Sequence, residues 1–133
     1  MLLSRSMASV LWAGLGGFVG SSLRYCVAVL LQTAGARGGL GIATATVNVV
    51  GCLAIGVVAQ LIAARAILSP QATVFVMVGL LGGFTTFSAF GHETVAMWQS
   101  RGAPLAVAVA AAHVVLGVAA VWAGRVAAQR LWG

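Results

Sequence analysis

Few side chains in this sequence can carry out chemistry. Glu93 is the only acid, so one copy of the chain can build neither a carboxylate pair for acid–base work nor a carboxylate-rich metal cage. His92 and His113 are the only histidines; His92-Glu93 lacks the spacing that sets two histidines around zinc, and His113 stands alone in an apolar stretch. Cys26 and Cys52 are too far apart for a CxxC motif and lie among apolar residues, which reads them as small core residues. Most enzyme mechanisms are thereby excluded. What remains is a set of polar groups in apolar surroundings: Arg24, Asn48, Thr85, Thr86, Ser88, Glu93 and His113. Their donors and acceptors suit holding or passing a small ion rather than making or breaking bonds.

The elements that must position these groups are membrane spans. Of 133 residues, 62% are hydrophobic and 6% charged, far from the balance of a soluble domain. About 20 apolar residues cross a bilayer as a helix, and four such stretches are present, near residues 7–31, 40–64, 70–97 and 103–126. Residues 1–133 therefore read as a single all-α, four-helix transmembrane domain, with no room for a soluble one. Met1 to Ser6 carries one Arg before an apolar run, as a signal peptide does, but the run continues as a Gly-rich, Arg-containing span; an uncleaved first helix is the expectation. The net charge of +6 comes from seven scattered Arg with no Lys, so no basic patch for nucleic acid forms.

With four spans both termini share a side. That side carries Arg5, Arg65, Arg125 and Arg130, and the other Arg37 and Arg101. So small a bias fits a cytoplasmic N-terminus, and equally a chain that inserts both ways and pairs with an inverted copy of itself. Four short helices have little width to enclose a path alone, which also favours an oligomer. Gly16 and Gly20, Gly35 and Gly39, and Gly79 and Gly83 stand at the spacing that lets helix backbones approach closely in lipid.

Charge and polarity at membrane depth cost on the order of 2.5–3.5 kcal/mol per group on insertion scales and call for a partner or a wet cavity. Arg24 either snorkels to the interface or holds something inside. Asn48 lies one turn after Thr44 on the same helix face and serves either as an interhelical hydrogen bond or as a donor to an ion. In the third span, the poor helix formers Gly82 and Gly83, followed by β-branched Thr85 and Thr86, predict a break in the helix. Broken backbone at that depth must be buried in protein or line a cavity, and its freed carbonyls suit a small cation. Phe84, Phe87 and Phe90 recur at threes spacing; they are packing residues, or rings whose positive edges face an anion. Glu93, toward the end of the span, reads as a gate, a proton carrier or an interfacial charge, and His113 as a helix contact or a pathway residue.

Three stretches together resemble the Fluc/CrcB family of fluoride channels: Gly16-Gly17-Phe18-Val19-Gly20-Ser21-Ser22-Leu23-Arg24-Tyr25, then Asn48-Val49-Val50-Gly51 with Gly56, then Gly82-Gly83-Phe84-Thr85-Thr86-Phe87-Ser88-Ala89-Phe90. Their order and spacing extend over nearly the whole chain. The resemblance implies an antiparallel, dual-topology homodimer in the bacterial inner membrane with two narrow fluoride pathways. It implies that Asn48 donates to the ion, that Phe87 and Phe90 present ring edges, that Thr86 and Ser88 line a polar route, and that Glu93 stands near an entrance. It also implies a structural sodium on the dimer axis, held by the backbone carbonyls of Gly82 and Thr85 from both subunits. Arg24 takes a structural place. Two residues depart from the family pattern: Ala89 replaces a hydroxyl, and His113 stands where the fourth helix usually supplies hydroxyls.

Fluoride is small and strongly hydrated, so a pathway must replace its water with dense donors and no trapping positive charge. No nucleotide motif is present, so passive flow is the expected mechanism. Two rivals stand beside it. A small proton-coupled multidrug antiporter needs a carboxylate deep in a substrate chamber, and a non-transporting assembly subunit leaves Asn48, Thr85, Thr86 and Ser88 as unexplained polarity.

Overall fold

A computed structural model describes residues 2–34, 41–65 and 67–132, with side chains from residue 7 onward; Gly35, Arg37 and Gly39 lie outside the described residues. Five helical segments build four spans. Helix α1 covers Leu2–Thr33 and α2 covers Ile42–Arg65. The third span is made of α3, residues 70–84, and α4, Phe87–Arg101, and the fourth is α5, Ala103–Trp132. Among the described residues, four stretches are long and apolar enough to cross a bilayer: Met7–Thr33, Ile42–Arg65, Pro70–Arg101 and Ala103–Trp132. The protein is a multi-pass membrane protein.

Local chemistry explains the ends. Ser69 caps α3 by accepting from the Ala72 N–H at 3.2 Å, with Pro70 opening the first turn. Gly102, at φ 89°, ends α4 and turns the chain straight into α5, a backbone state in which a side chain is strained. Because the turn comes there, the third span runs on through the polar stretch Trp98-Gln99-Ser100 to Arg101, four residues past the predicted end. Glu93 is accordingly two turns inside α4 rather than at the end of the span. Within α3, Val74–Leu81 is wound as a π-helix, with wider i→i+5 turns.

The helices pack as two layers, α1 along α3 and α2 along α5, with α4 leaning on α5. Glycine sets both contacts. A Cβ on Gly16 would run into the backbone of Phe75, and one on Gly20 into the Leu80 carbonyl. Gly79 and Gly83 face the backbones of Ala13 and Gly17 at 2.7 Å from the position a Cβ would take. Across the other layer, Gly56 lies against the Val121 carbonyl and Gly124 against that of Leu53. Lipid gives no hydrophobic drive for helix association, so backbone-to-backbone approach does this work. Large side chains contribute little: Val47, Leu81 and Met97 are buried, whereas Leu11, Phe18, Tyr25, Val118 and Trp122 face outward. Cys26, read from its apolar neighbours as a core residue, is exposed, and Cys52 is half-buried; in a span, apolar neighbours mark lipid as readily as core.

The break in the third span falls within the predicted stretch, at Thr85 and Thr86 rather than at the glycines themselves. Gly82 keeps helical angles (φ −65°, ψ −37°), while Thr85 (φ −85°, ψ 158°) and Thr86 (φ −152°, ψ 120°) are extended. Glycine in a lipid-embedded helix exposes no backbone to water, so its usual weakness as a helix former is muted. The partner of the broken backbone lies on another helix.

Candidate functional site

Asn48, on the inner side of α2, reaches the break with its side-chain amide. Thr86 N–H donates to Asn48 Oδ1 at 2.7 Å, and Asn48 Nδ2 donates to the Thr86 carbonyl at 3.0 Å. One side chain thus satisfies both backbone groups of an extended residue, as a neighbouring strand would. Gly51, three residues on, leaves the space that the Thr85 methyl fills. Thr85 Oγ1 donates back to the Leu81 carbonyl at 2.9 Å, and Thr86 Oγ1 caps α4 by accepting from Ala89 N–H at 3.2 Å.

These bonds redirect the helical ladder. An uninterrupted helix would send the Thr86 N–H to the Gly82 carbonyl and the Ala89 N–H to the Thr85 carbonyl. Both donors are spent elsewhere, on Asn48 and on the Thr86 hydroxyl, so Gly82 and Thr85 lose their helical donors. The Gly83 carbonyl takes a substitute, the Arg24 Nε–H at 3.2 Å. Arg24 is therefore turned inward onto the carboxyl end of α3, where its charge meets the negative pole of that helix; it does not snorkel.

The predicted pathway residues fall into two groups. Around the break, Thr86 Oγ1 and Ser88 Oγ are 3.1 Å apart. Phe87 and Phe90 have ring centroids 5.5 Å apart, and Phe90 meets the His113 ring at 4.6 Å. His113 Nε2 lies 2.9 Å from Asn48 Nδ2. Phe87 is 81% exposed on the single chain. Asn48, Thr85, Thr86, Phe87, Phe90 and His113 line one cavity of about 360 Å³, together with Gly82. Glu93 stands apart from this cluster. Its carboxylate accepts from the buried Thr44 hydroxyl at 2.6 Å, and it lines a second cavity of about 440 Å³ with Ser21, Arg24 and Thr86. Thr86 is common to both cavities, so the Asn48–Thr86 pairing forms the partition between them.

Two participants were not singled out as site residues from the sequence. Thr44 was visible one turn before Asn48 on the same face, and that spacing was its signal. Gly41, at φ 65°, brings its bare Cα against the Glu93 carboxylate, 2.6 Å from where a Cβ would stand; nothing local to its sequence announced a carboxylate 52 positions later. Among the described residues no three His, Cys, Asp or Glu cluster as a metal site would require.

Residues 11–125 match the family described as CrcB-like protein, Camphor Resistance (CrcB). The chain belongs to the CrcB family. It is 36% identical over 118 residues to the fluoride-specific ion channel FluC of Methylobacillus flagellatus, covering 89% of this chain and 92% of that one. The FluC of Chlorobium phaeobacteroides is 34% identical over 123 residues, with 92% and 94% covered. The FluC of Elusimicrobium minutum is 47% identical over 87 residues, with 65% and 66% covered. These relatives are named as ion channels, not as enzymes. Within the CrcB family match lie every polar group discussed above, from Ser21 to His113, and both halves of the broken span.

Proposed function

We propose that the chain is a passive fluoride-selective channel that exports fluoride across the bacterial inner membrane and so lowers its cytoplasmic concentration. The observation that carries this reading is the Asn48–Thr86 pairing, which holds a two-residue break open at membrane depth in a chain of the CrcB family. The break turns one helix into two, and the amino end of α4 brings a positive pole to the same point as the Thr86 and Ser88 hydroxyls. Fluoride entering this zone exchanges water for the Asn48 amide, these hydroxyls and the ring edges of Phe87 and Phe90. These donors are neutral, so each site is strong enough to strip water and weak enough to release the ion. Glu93, held by Thr44, stands at the entrance, and Arg24 supports the break from behind. Nothing in the sequence supplies a motor or a nucleotide site, so the fluoride gradient alone drives flow.

The working unit on this reading is an antiparallel homodimer with two pathways. Phe87, largely exposed on one chain, then faces the partner rather than lipid. The Gly82 and Thr85 carbonyls, released from their helical donors, are the groups that would hold a structural sodium ion shared between the subunits. Bound there, sodium supplies a positive charge that holds the two α3 ends together.

Purified protein in vesicles loaded with fluoride, chloride or an organic cation tests the function. Fluoride is expected to leave rapidly while chloride and the organic cation stay. Equal loss of fluoride and chloride, or uptake of the organic cation driven by a proton gradient, overturns the reading.

A further inference from the structure

The orientation of the Asn48 amide is fixed, because its oxygen must face the Thr86 N–H and its nitrogen the Thr86 carbonyl. The remaining amide hydrogen points along the 2.9 Å contact to His113 Nε2. A donor faces that ring nitrogen, so Nε2 must accept, and the imidazole must be neutral with its proton on Nδ1. In this arrangement both Asn48 hydrogens are occupied, one by the Thr86 carbonyl and one by His113. A fluoride ion that needs the second hydrogen competes with the imidazole for it.

We infer that His113 is a proton-sensitive positioning residue that closes Asn48 to the ion when neutral and releases it when Nε2 is protonated. Protonation sets N–H against N–H, so the ring swings away from Asn48 and frees the second amide hydrogen in the cavity that both residues line. The ring also leaves Phe90, against which it lies tilted by 56° with centroids 4.6 Å apart. The balance is simple: one proton is taken from water onto Nε2, one hydrogen bond to Asn48 breaks, and the second Asn48 N–H becomes available to an anion. This inference rests on the fluoride-channel reading and adds a regulation to it.

The other groups facing His113 are few. From α2 they are Asn48 and the Cys52 thiol. From α4 the titratable residues are His92 and Glu93; α3 has no titratable residue, and on α1 Arg24 sits across the break on Gly83.

The test is fluoride efflux from vesicles between about pH 8 and about pH 5, a span that covers the ordinary imidazole range and extends below it. Loss from protein-free vesicles is subtracted, because hydrogen fluoride crosses lipid unaided. Efflux through the parent chain is expected to rise roughly tenfold toward acid, the factor that matches loss of one competing hydrogen bond. His113→Gln keeps an acceptor toward Asn48 but cannot titrate, and should hold the low rate at every pH. His113→Ala, which removes the acceptor and so leaves the second Asn48 hydrogen free, should hold the high rate at every pH. A flat parent profile, or an acid rise that survives in both variants, overturns the inference while leaving fluoride conduction standing. A parent that passes no fluoride at any pH instead removes the channel reading. An arm free of flux decides His113 even then. In protein with ¹⁵N-labelled histidine, and with His92→Gln used to assign the signals, NMR at about pH 8 should show His113 bare at Nε2 and protonated at Nδ1; the opposite tautomer overturns the inference.

Discussion

Asn48 and Thr86, 38 residues apart, are joined by two hydrogen bonds that run from one side chain to both polar groups of one backbone unit. Replacing Asn48 with Asp turns the donor that faces the Thr86 carbonyl and His113 Nε2 into an acceptor. Fluoride efflux should fall by at least about tenfold, and the protein should lose on the order of 1–3 kcal/mol of stability from the groups left unpaired. A variant that assembles normally and conducts at the parental rate would remove Asn48 from the path.

Phe87→Ile and Phe90→Ile keep most of the bulk but abolish the ring edge. Each should cut efflux more than Phe75→Ile, because Phe75 stacks edge-on against Trp12, away from the break. Similar small losses at all three positions would return these rings to packing.

Gly20→Ala adds one carbon where the Leu80 carbonyl already stands, whereas Gly14→Ala adds it to open space. The first should lower the melting temperature in detergent clearly, and the second should leave it unchanged or raise it slightly, since alanine is the better helix former. A thermal melt of the two variants side by side decides whether α1 and α3 touch as described.

Gly82 is also nearly open within one chain, since a Cβ there meets only the Met77 carbonyl at 3.8 Å. Gly82→Val should therefore leave the subunit folded and weaken only the association of subunits, whereas Gly14→Val should weaken it much less. Replacing sodium with a bulky organic cation should speed subunit exchange in the parent and change little in the Gly82 variant. Equal exchange in both salts over days, with a trapped ion excluded by anomalous scattering, would count against the sodium site.

Tags at both ends report orientation. An antiparallel homodimer requires copies with termini on each side, and adding one or two Arg to a loop should bias insertion strongly. Termini found on one side only in every copy would rule that assembly out.

How much of this could be read in advance varied with the kind of force at work. The spans were legible because apolar length is a one-dimensional property of the chain. Asn48, Thr86 and His113 stood out because polarity in lipid needs a reason. The break was expected over the stretch from Gly82 to Thr86 from propensities that describe helices in water, and it falls at the Thr85-Thr86 end of that stretch, where the Asn48 amide meets the freed backbone from across the fold. Cys26 misled for a related reason: hydrophobicity does not separate lipid-facing from inward-facing positions in a span. The contacts of Arg24 with Gly83 and of Glu93 with Thr44 join distant parts of the chain, and no local pattern records them.

The order of the chain sets when the Asn48–Thr86 bond can form. Helix α2 precedes the third span, so it leaves the ribosome first. When Thr85 and Thr86 reach the bilayer, the side chain that will satisfy them is already there. An extended pair of residues entering hydrocarbon alone would carry bare amides and carbonyls and would be driven to rewind into helix. Moving the Asn to a later span would leave that interval uncovered, so the same contact built in the reverse order would have to be made after a helix had first been completed and then undone.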